Sequence, residues 1–561
     1  KRSKEFQKKL ASLIFFDPAC GSGNFLTETY LSIRKIENEL IKLVYGNQSL
    51  LDTGQNLIKV SIQQFFGIEI NDFAVSVAKT ALWIAESQMM EETKTIIYSD
   101  QEFLPLKTYT NIVEGNALTL NWKKVVNPNR TSFLISNPPF IGKKEQDKVQ
   151  KKELLNILGS GASRLDYVTG WYVKAMQFMN GTDIHTSFVS TNSITQGEQV
   201  PILWKKLINM GITINFAYRT FKWESEAKNG AHVHVVIIGF SYQEKSRDKF
   251  LFFDKGVVKK VNNINPYLSE GPTVLIKNRT RPICHVNPMN YGSMPIDAGN
   301  LILSENDLNE LLNENPNNKR FIRKYVGGDE LISNKTRWCL WLKGVSATEY
   351  IHSKFIMDRI RRTKMFRENS NRPQTNKLSD YPYLFGEIRQ PEDGKSILVV
   401  PKVSSQARRY IPITIVDSSM CIVNGSALII SNANIFSFAI LISNIHMAWM
   451  RTVAGRMKSD YQYSNRIVYN NFPWPNPTDE QKRRIIQTGQ KIIDARRLYH
   501  NSSLDELYNE LLMPPELRKA HQANDKAVMQ AYGLPIKGTT ESNAVAKLFE
   551  MYKIIINQDQ K

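Results

Sequence analysis

The stretch Phe16-Asp17-Pro18-Ala19-Cys20-Gly21-Ser22-Gly23-Asn24-Phe25 decides the reading of the fold. It follows an apolar run with strand character, Leu13–Phe16, and opens an amphipathic helical pattern, Phe25–Leu43. Strand, tight turn and helix form the first unit of an open α/β sheet. In such sheets ligands bind outside the carboxyl ends of the strands. The glycines let the backbone turn sharply and approach a ligand, because they lack a Cβ. No Gly-Lys-Ser/Thr follows, so this is not a Walker A phosphate loop. Leu26 stands where a dinucleotide fingerprint has its third glycine, so a pyrophosphate is poorly supported. By itself the turn also fits a purely structural strand–helix link.

Outward from that turn the alternation continues. Strand candidates are Phe65–Glu69, Asn111–Glu114, Ser132–Ser136, Thr186–Ser190, Thr213–Tyr218 and Val233–Phe240, with a second helical pattern at Phe73–Met89. This predicts a Rossmann-like, seven-stranded, mostly parallel, doubly wound sheet. Its last two strands lack a long intervening helix and are expected to pair antiparallel. The strand ends carry chemistry. Glu69 can accept both ribose hydroxyls of a nucleoside. Asn116, in Glu114-Gly115-Asn116-Ala117-Leu118, can hydrogen-bond an adenine edge. The fourth strand runs into Asn137-Pro138-Pro139-Phe140.

The pattern changes over 241–265 and is then punctuated by Pro266, Pro272, Pro282 and Pro288. We divide the chain into an α/β domain (1–262), an α+β region (263–475) and a helical C-terminal region (476–561). The α+β region has short β runs at Ser396–Val400 and Ile411–Val416 and a helix near Phe436–Val453. The breaker Asn471–Pro477 precedes helical patterns at Asp479–Leu498, Leu504–Leu511, Pro515–Ala531 and Ser542–Ile556.

Composition sets the frame. The 561 residues are 42% hydrophobic, enough for several packed cores and too many for a disordered chain. Polar residues interrupt the longest apolar candidate, Ile429–Met447, and the charged Lys1–Leu10 is not a signal peptide. These features argue against membrane-spanning and secreted classes. Four scattered cysteines form neither a disulfide framework nor a zinc site, which fits a reducing cytoplasm. The net charge is +20, and residues 241–470 hold 33 basic and 20 acidic side chains, most of the excess. Such a surplus points to a polyanion, although a basic surface alone needs none.

The series Asp17–Gly23, Gly67-Ile68-Glu69-Ile70, Glu114–Leu118 and Asn137–Phe140 resembles the S-adenosylmethionine-dependent amino-methyltransferases of DNA, adenine-N6 class. The resemblance implies S-adenosyl-L-methionine as cofactor, held by Asp17, Ala19, Gly21, Gly23, Asn24, Glu69, Asn116 and Asn137. It also implies catalysis by Asn137, Pro138, Pro139 and Phe140. The chemistry supports those residue types. An adenine amine is a poor nucleophile because its lone pair is delocalised into the ring. Acceptors at Asn137 Oδ1 and the Pro138 carbonyl would let the nitrogen become more tetrahedral, and the prolines aim them. Phe140 can stack on a base taken out of the duplex. Catalysis then rests on positioning and on stabilising developing charge.

Other acceptors fit less well. Cytosine-C5 transfer requires a nucleophilic cysteine, usually after proline, and no cysteine here follows one. Cys20 reads as a packing residue. Amino-cytosine enzymes more often carry Ser or Asp before the two prolines, whereas protein-glutamine and ribosomal-RNA methyltransferases share Asn-Pro-Pro. Phe221 and Trp223 are candidates for a second, loop-borne wall of the base pocket, or for sheet-end packing. His232 and His234 alternate with valines and read as strand residues; no metal site is expected.

Longer stretches narrow the resemblance. Leu165–Tyr172, Ser190–Gln199, Tyr469–Pro475 and Leu512–Gln522 are similar to the Type IIL (MmeI-like) restriction–modification enzymes over nearly the whole chain. That family orders nuclease, helical connector, methyltransferase, target-recognition domain and helical C-terminal part. Only 16 residues precede Asp17, so an upstream Tyr-Thr cofactor segment and a nuclease domain have no room here. The sequence therefore reads as part of a longer protein, and no endonuclease activity is expected from these residues. The resemblance implies a bacterial, cytoplasmic, nucleoid-associated enzyme acting on double-stranded DNA.

Basic residues gather at Lys354, Arg359, Arg361, Arg362, Lys364, Arg367 and Arg372, as phosphate contacts or as a solvated helix face. By resemblance, Pro401–Tyr410 carries base-reading side chains, with Gln406 and Arg408 foremost and Lys402, Ser404, Ser405 and Arg409 beside them. Arg suits guanine and Gln suits adenine in the major groove. Arg451, Arg456 and Lys458 beside Tyr461 and Tyr463 form a second basic–aromatic cluster. The alternatives are a methyltransferase of a phage-exclusion system that needs partner proteins, and a DNA-specificity subunit without catalysis. Intact Asp17, Glu69 and Asn137 speak against the second. An RNA or protein acceptor is disfavoured by the basic second half.

Overall fold

The computed structural model describes residues 2–45, 57–97, 111–223, 233–242, 248–391, 394–457 and 459–558. It divides into two compact units, Lys1–Leu275 and Ile276–Lys561. His232 and Lys458 lie outside the described residues.

The first unit is built on a nine-stranded sheet. Its strands are β1 (Phe15–Asp17), β2 (Phe65–Glu69), β3 (Ile112–Glu114), β4 (Phe133–Ser136), β5 (His185–Thr191), β6 (Ile212–Trp223), β7 (Val233–Tyr242), β8 (Lys249–Phe252) and β9 (Val258–Val261). The order is β3-β2-β1-β4-β5-β7-β6-β8-β9. The seven expected strands are all present, and β1 to β5 pair in parallel. β7 is antiparallel to both β5 and β6, as expected from the short connection. β8 and β9 extend the sheet beyond those seven.

The helices that wind it are α1 (Arg2–Ser12), α2 (Asn24–Tyr45), α3 (Asp72–Ile97), α4 (Lys148–Leu158), α5 (Thr169–Met179) and α6 (Gln199–Asn209). β1 is the hub. Its three residues are all buried, and Phe15 stacks on Phe65 and Phe133 at 5.1 and 5.4 Å. Leu26, Tyr30 and Ile33 of α2 join Ala78, Leu82 and Ala85 of α3 in the same core. Burying one such aromatic contributes about 1.5–3 kcal/mol. The core therefore fixes the turn between β1 and α2 from both sides.

The second unit contains an antiparallel sheet in the order Met289–Tyr291, Ala427–Ser431, Ser396–Pro401, Thr414–Asp417. A mixed sheet runs Ile302–Leu303, Trp338–Leu340, Ile322–Val326, Cys421–Val423. A third joins Val403–Ser404, Asp460–Gln462 and Gly455–Met457. Its long C-terminal helices are Asp479–Arg497, Pro515–Ala531 and Glu541–Gln558.

Two helical expectations change. The pattern over 436–453 is two helices, Ile435–Leu441 and Asn444–Val453, because the Ser443 side chain caps the second. The pattern from Leu504 ends early, at Leu507. Among the described residues no helix is long and apolar enough to cross a membrane.

Candidate functional site

The turn after β1 holds Gly21 and Gly23 in the left-handed region, at φ +53° and +86°. A Cβ on Gly23 would lie 3.0 Å from the Ala78 Cβ, so the turn is pressed against α3. The turn closes on itself through Gly23 N–H to the Cys20 carbonyl at 2.8 Å and is pinned to β2 by Cys20 N–H to the Ile68 carbonyl at 3.1 Å. Burial pushes the Cys20 thiol upward, consistent with a packing role rather than a nucleophile.

Asp17, 1% exposed, accepts hydrogen bonds on Oδ1 from Ser136 Oγ at 2.6 Å and Ala19 N at 2.9 Å. Burial lifts its carboxyl to about 7; those two hydrogen bonds oppose the rise and the Glu69 charge adds to it. Glu69 ends β2 and receives Gly21 N–H on Oε2 at 2.9 Å and Asn71 N–H on Oε1 at 3.0 Å. Each carboxylate oxygen keeps a further lone pair for a ligand hydroxyl. Asn24 is exposed at the start of α2, and its Oδ1 accepts from Ser22 Oγ at 3.2 Å. Ile70, 66% exposed directly after Glu69, supplies an apolar surface that the sequence reading did not single out.

Asn116 is committed locally. Its Oδ1 caps Leu118 N–H at 2.9 Å, and its Nδ2 donates to Glu153 Oε1 at 2.8 Å. Glu153 also accepts the Tyr167 hydroxyl. Asn116 thus sits at the β3 end as expected, its side chain engaged by Leu118, Glu153 and Tyr167.

Asn137 follows β4, and its Oδ1 is buried without a hydrogen-bond partner. Pro138 is buried, Pro139 exposed and Phe140 half-buried. The stretches noted at Leu165–Tyr172 and Ser190–Gln199 hold this loop. Tyr167 N–H donates to the Ile141 carbonyl at 2.9 Å, and Gln146 Nε2 to the Leu165 carbonyl at 2.9 Å. Trp171 Nε1 donates to the Pro18 carbonyl at 3.1 Å, tying α5 to the glycine turn. The sequence reading missed Asp166 as a clamp; its partners are 23 to 27 residues away in sequence.

Phe221 and Trp223 are not loop residues, as had been expected. They end the long strand β6, paired with Val235 and Val233 of β7, their rings 6.3 Å apart. Alternation puts them on one face of the hairpin. Val235 also pairs with Thr191, so Phe221 is level with the carboxyl end of β5.

In the second unit the helix Lys354–Glu368 presents Arg361, Arg362 and Lys364 to solvent. Arg362 pairs with Asp358, and Lys364 with Glu368 at 3.7 Å. Two other members of that basic group are structural, correcting the sequence reading. Arg367 is fully buried and donates to five carbonyls, of Pro295, Ile296, Leu378, Tyr381 and Leu384. Arg359 is held by Asp307 and the carbonyls of Asn300 and Ile302.

The small three-stranded sheet brings the two basic–aromatic segments together. Arg456 lies over the Tyr461 ring at 4.2 Å and reaches Gln406 Oε1 at 3.4 Å. Lys402 lies over Tyr291 at 5.0 Å. Arg408 is ion-paired with Asp505, while Arg409 is exposed. Tyr410 anchors the segment, stacked on His521 at 4.2 Å and donating to Asp525 Oδ2 at 2.6 Å. The Tyr469–Pro475 stretch is an internal strap: Asn470 and Asn471 donate to the carbonyls of Arg279 and Lys277 at 2.8 and 3.0 Å.

Comparison with known proteins agrees with this layout. Three family models match: MmeI, DNA-methyltransferase domain, over residues 1–253; MmeI, target recognition domain, over 270–476; and MmeI, C-terminal domain, over 477–558. "DNA methyltransferase A" of Bacillus subtilis (strain 168) is 39% identical over 529 residues, 93% of this chain, which spans 59% of that relative. A solved structure of the Type IIL restriction–modification enzyme MmeI in complex with DNA is 40% identical, with a TM-score of 0.84, covering 99% of this chain and 75% of that one. The chain thus belongs to the MmeI family of Type IIL restriction–modification enzymes and matches its DNA-methyltransferase, target-recognition and C-terminal domains in that order.

Proposed function

We propose that the chain transfers a methyl group from S-adenosyl-L-methionine to the N6 amine of an adenine extruded from double-stranded DNA. The buried, unpartnered Asn137 Oδ1 carries the reading: an acceptor without a donor, at the strand end beside the glycine turn. The residues around the turn fit the cofactor. Gly21 and Gly23 allow close approach, Glu69 has lone pairs for ribose hydroxyls, and exposed Ile70 offers an apolar face for a purine. When bound, the cofactor supplies an electrophilic methyl on a sulfonium.

Asn137 Oδ1 and the Pro138 carbonyl accept the amine hydrogens and localise the nitrogen lone pair. Phe140 stacks on the extruded base, with Phe221 and Trp223 as the opposing aromatics. No covalent bond to the protein forms; the proton leaves the amine after attack. In the second unit Lys402, Gln406, Arg409 and Arg456 meet base edges or phosphates, and Arg361, Arg362 and Lys364 meet phosphates. Arg408 contributes after exchanging its Asp505 partner for DNA.

The test uses the full-length protein. Asn137→Ala should abolish methyl transfer while largely sparing DNA binding, measured separately. Wild-type methylation by that variant overturns the mechanism. Modification-sensitive sequencing of DNA from cells expressing the wild type should show N6-methyladenine at one short site; a different modified base overturns the acceptor assignment.

A further inference from the structure

The loops after β4 and β5 hold three buried polar side-chain atoms without a hydrogen-bond partner: Asn137 Oδ1, Asn192 Nδ2 and Gln196 Oε1. Asn192 and Gln196 are each 8% exposed. Buried groups of this kind are normally paired, so a cluster of them asks for a ligand.

The cluster is a consequence of topology. β4 and β5 are parallel neighbours with Ser136 opposite Phe188, so both loops leave the sheet at the same end. Asp166 clamps the loops together. Its Oδ1 accepts Lys143 N–H at 3.1 Å, and its Oδ2 accepts the Ser193 hydroxyl and, at 3.4 Å, Thr191 Oγ1. The backbone around Asn192 is already satisfied. Thr195 Oγ1 donates to the Asn192 carbonyl at 2.8 Å, Gln196 N–H to the Ser193 carbonyl at 3.2 Å, and Trp204 Nε1 to the Ile194 carbonyl at 2.9 Å. The loop is therefore fixed without its two amides, which differ in kind: one donor and one acceptor, four residues apart.

We infer that Asn192 binds the target base, donating an Nδ2 hydrogen to the ring-nitrogen acceptor beside the amine. This rests on the adenine reading above and adds to it. Asn137 accepts from the amine while Asn192 donates to the adjacent ring nitrogen, N1 of adenine. Together they read the hydrogen-bonding edge that the base loses on leaving the duplex.

The test pairs a variant with an altered base. Full-length wild type, Asn192→Ala and Asn192→Asp are given a duplex carrying the methylation site. The target is either adenine or 1-deazaadenine, in which N1 is replaced by C–H. Single-turnover rates are read, with cofactor and DNA affinities measured separately. Wild type should slow about tenfold on 1-deazaadenine, the scale of one hydrogen bond. Asn192→Ala should slow as much on adenine and lose nothing further on the analogue. Asn192→Asp, isosteric but an acceptor, should be slower still. Binding of cofactor and DNA should be unchanged.

Multiplying penalties, a wild-type rate in Asn192→Asp, or parallel loss of cofactor binding would overturn the assignment. A wild type that methylates no adenine would instead overturn the functional reading beneath it.

Discussion

Ser136 donates a hydrogen bond to Asp17 across 2.6 Å, and both residues are buried. One precedes Asn137; the other opens the glycine turn. The bond sets the end of β4 against the end of β1, so the proposed cofactor turn and the proposed amine acceptor share one rigid frame. A displacement of either strand is felt by both. Reactions that depend on orientation lose rate steeply when such a frame loosens.

The Asp17 carboxyl gives the first unit a pH-dependent stability. Burial raises it from 3.8 to about 7, so between those values the folded state binds more protons than the unfolded one. Stability therefore falls as pH rises through this window and levels off above it. Asp17→Asn keeps the shape and removes the titration. Urea denaturation near pH 5 and near pH 8 should show the wild type losing more stability at the higher pH than the variant does. Equal losses would rule out the buried protonated carboxyl.

Gly23 and Gly21 both have positive φ, and they differ in surroundings. A methyl at Gly23 meets Ala78 at 3.0 Å, whereas one at Gly21 meets nothing within 4 Å. Gly23→Ala should cost about 1–3 kcal/mol and weaken S-adenosyl-L-methionine binding in calorimetry. Gly21→Ala should cost about 1–2 kcal/mol from backbone strain alone. Thermal shifts of equal size would show that the packing against α3 is unimportant.

The basic helix of the second unit separates two roles. Arg367→Ala removes a buried guanidinium that five carbonyls share and should destabilise that unit by about 3 kcal/mol. Arg361→Ala, Arg362→Ala and Lys364→Ala should each change stability by less than about 0.5 kcal/mol. Each should also lower the slope of log DNA affinity against log salt by about 0.9, one phosphate contact. An unchanged slope in all three would remove this helix from the proposed interface.

Much of the first unit was legible because its signals are local. A turn that needs two left-handed residues shows itself as Gly-Ser-Gly, and strands buried on both faces show themselves as apolar runs. Phe221 and Trp223 were misplaced because the polar residues after them suggest a loop, whereas β7 pairs with them to the end. β8 and β9 were missed because Lys249, Lys259 and Lys260 interrupt the apolar pattern of edge strands. Arg367 illustrates the larger limit. In sequence it matches Arg361 and Lys364, and only the tertiary fold turns it toward five carbonyls. Asp166 is similar: its clamp joins segments 23 and 27 residues from it, and no spacing rule encodes that.

The small sheet of Val403–Ser404, Asp460–Gln462 and Gly455–Met457 has an evolutionary consequence. Residues some 50 positions apart, Gln406 and Arg456, touch at 3.4 Å. Side chains in contact have interdependent energies, with coupling of about 0.5–3 kcal/mol. An exchange at 406 alters the reach and hydrogen bonding of the guanidinium at 456, and the converse holds. If the two side chains read DNA as proposed, substitutions at 406 and 456 are expected to be coupled, so that libraries varying the two sites jointly should sample outcomes that one-at-a-time scans miss.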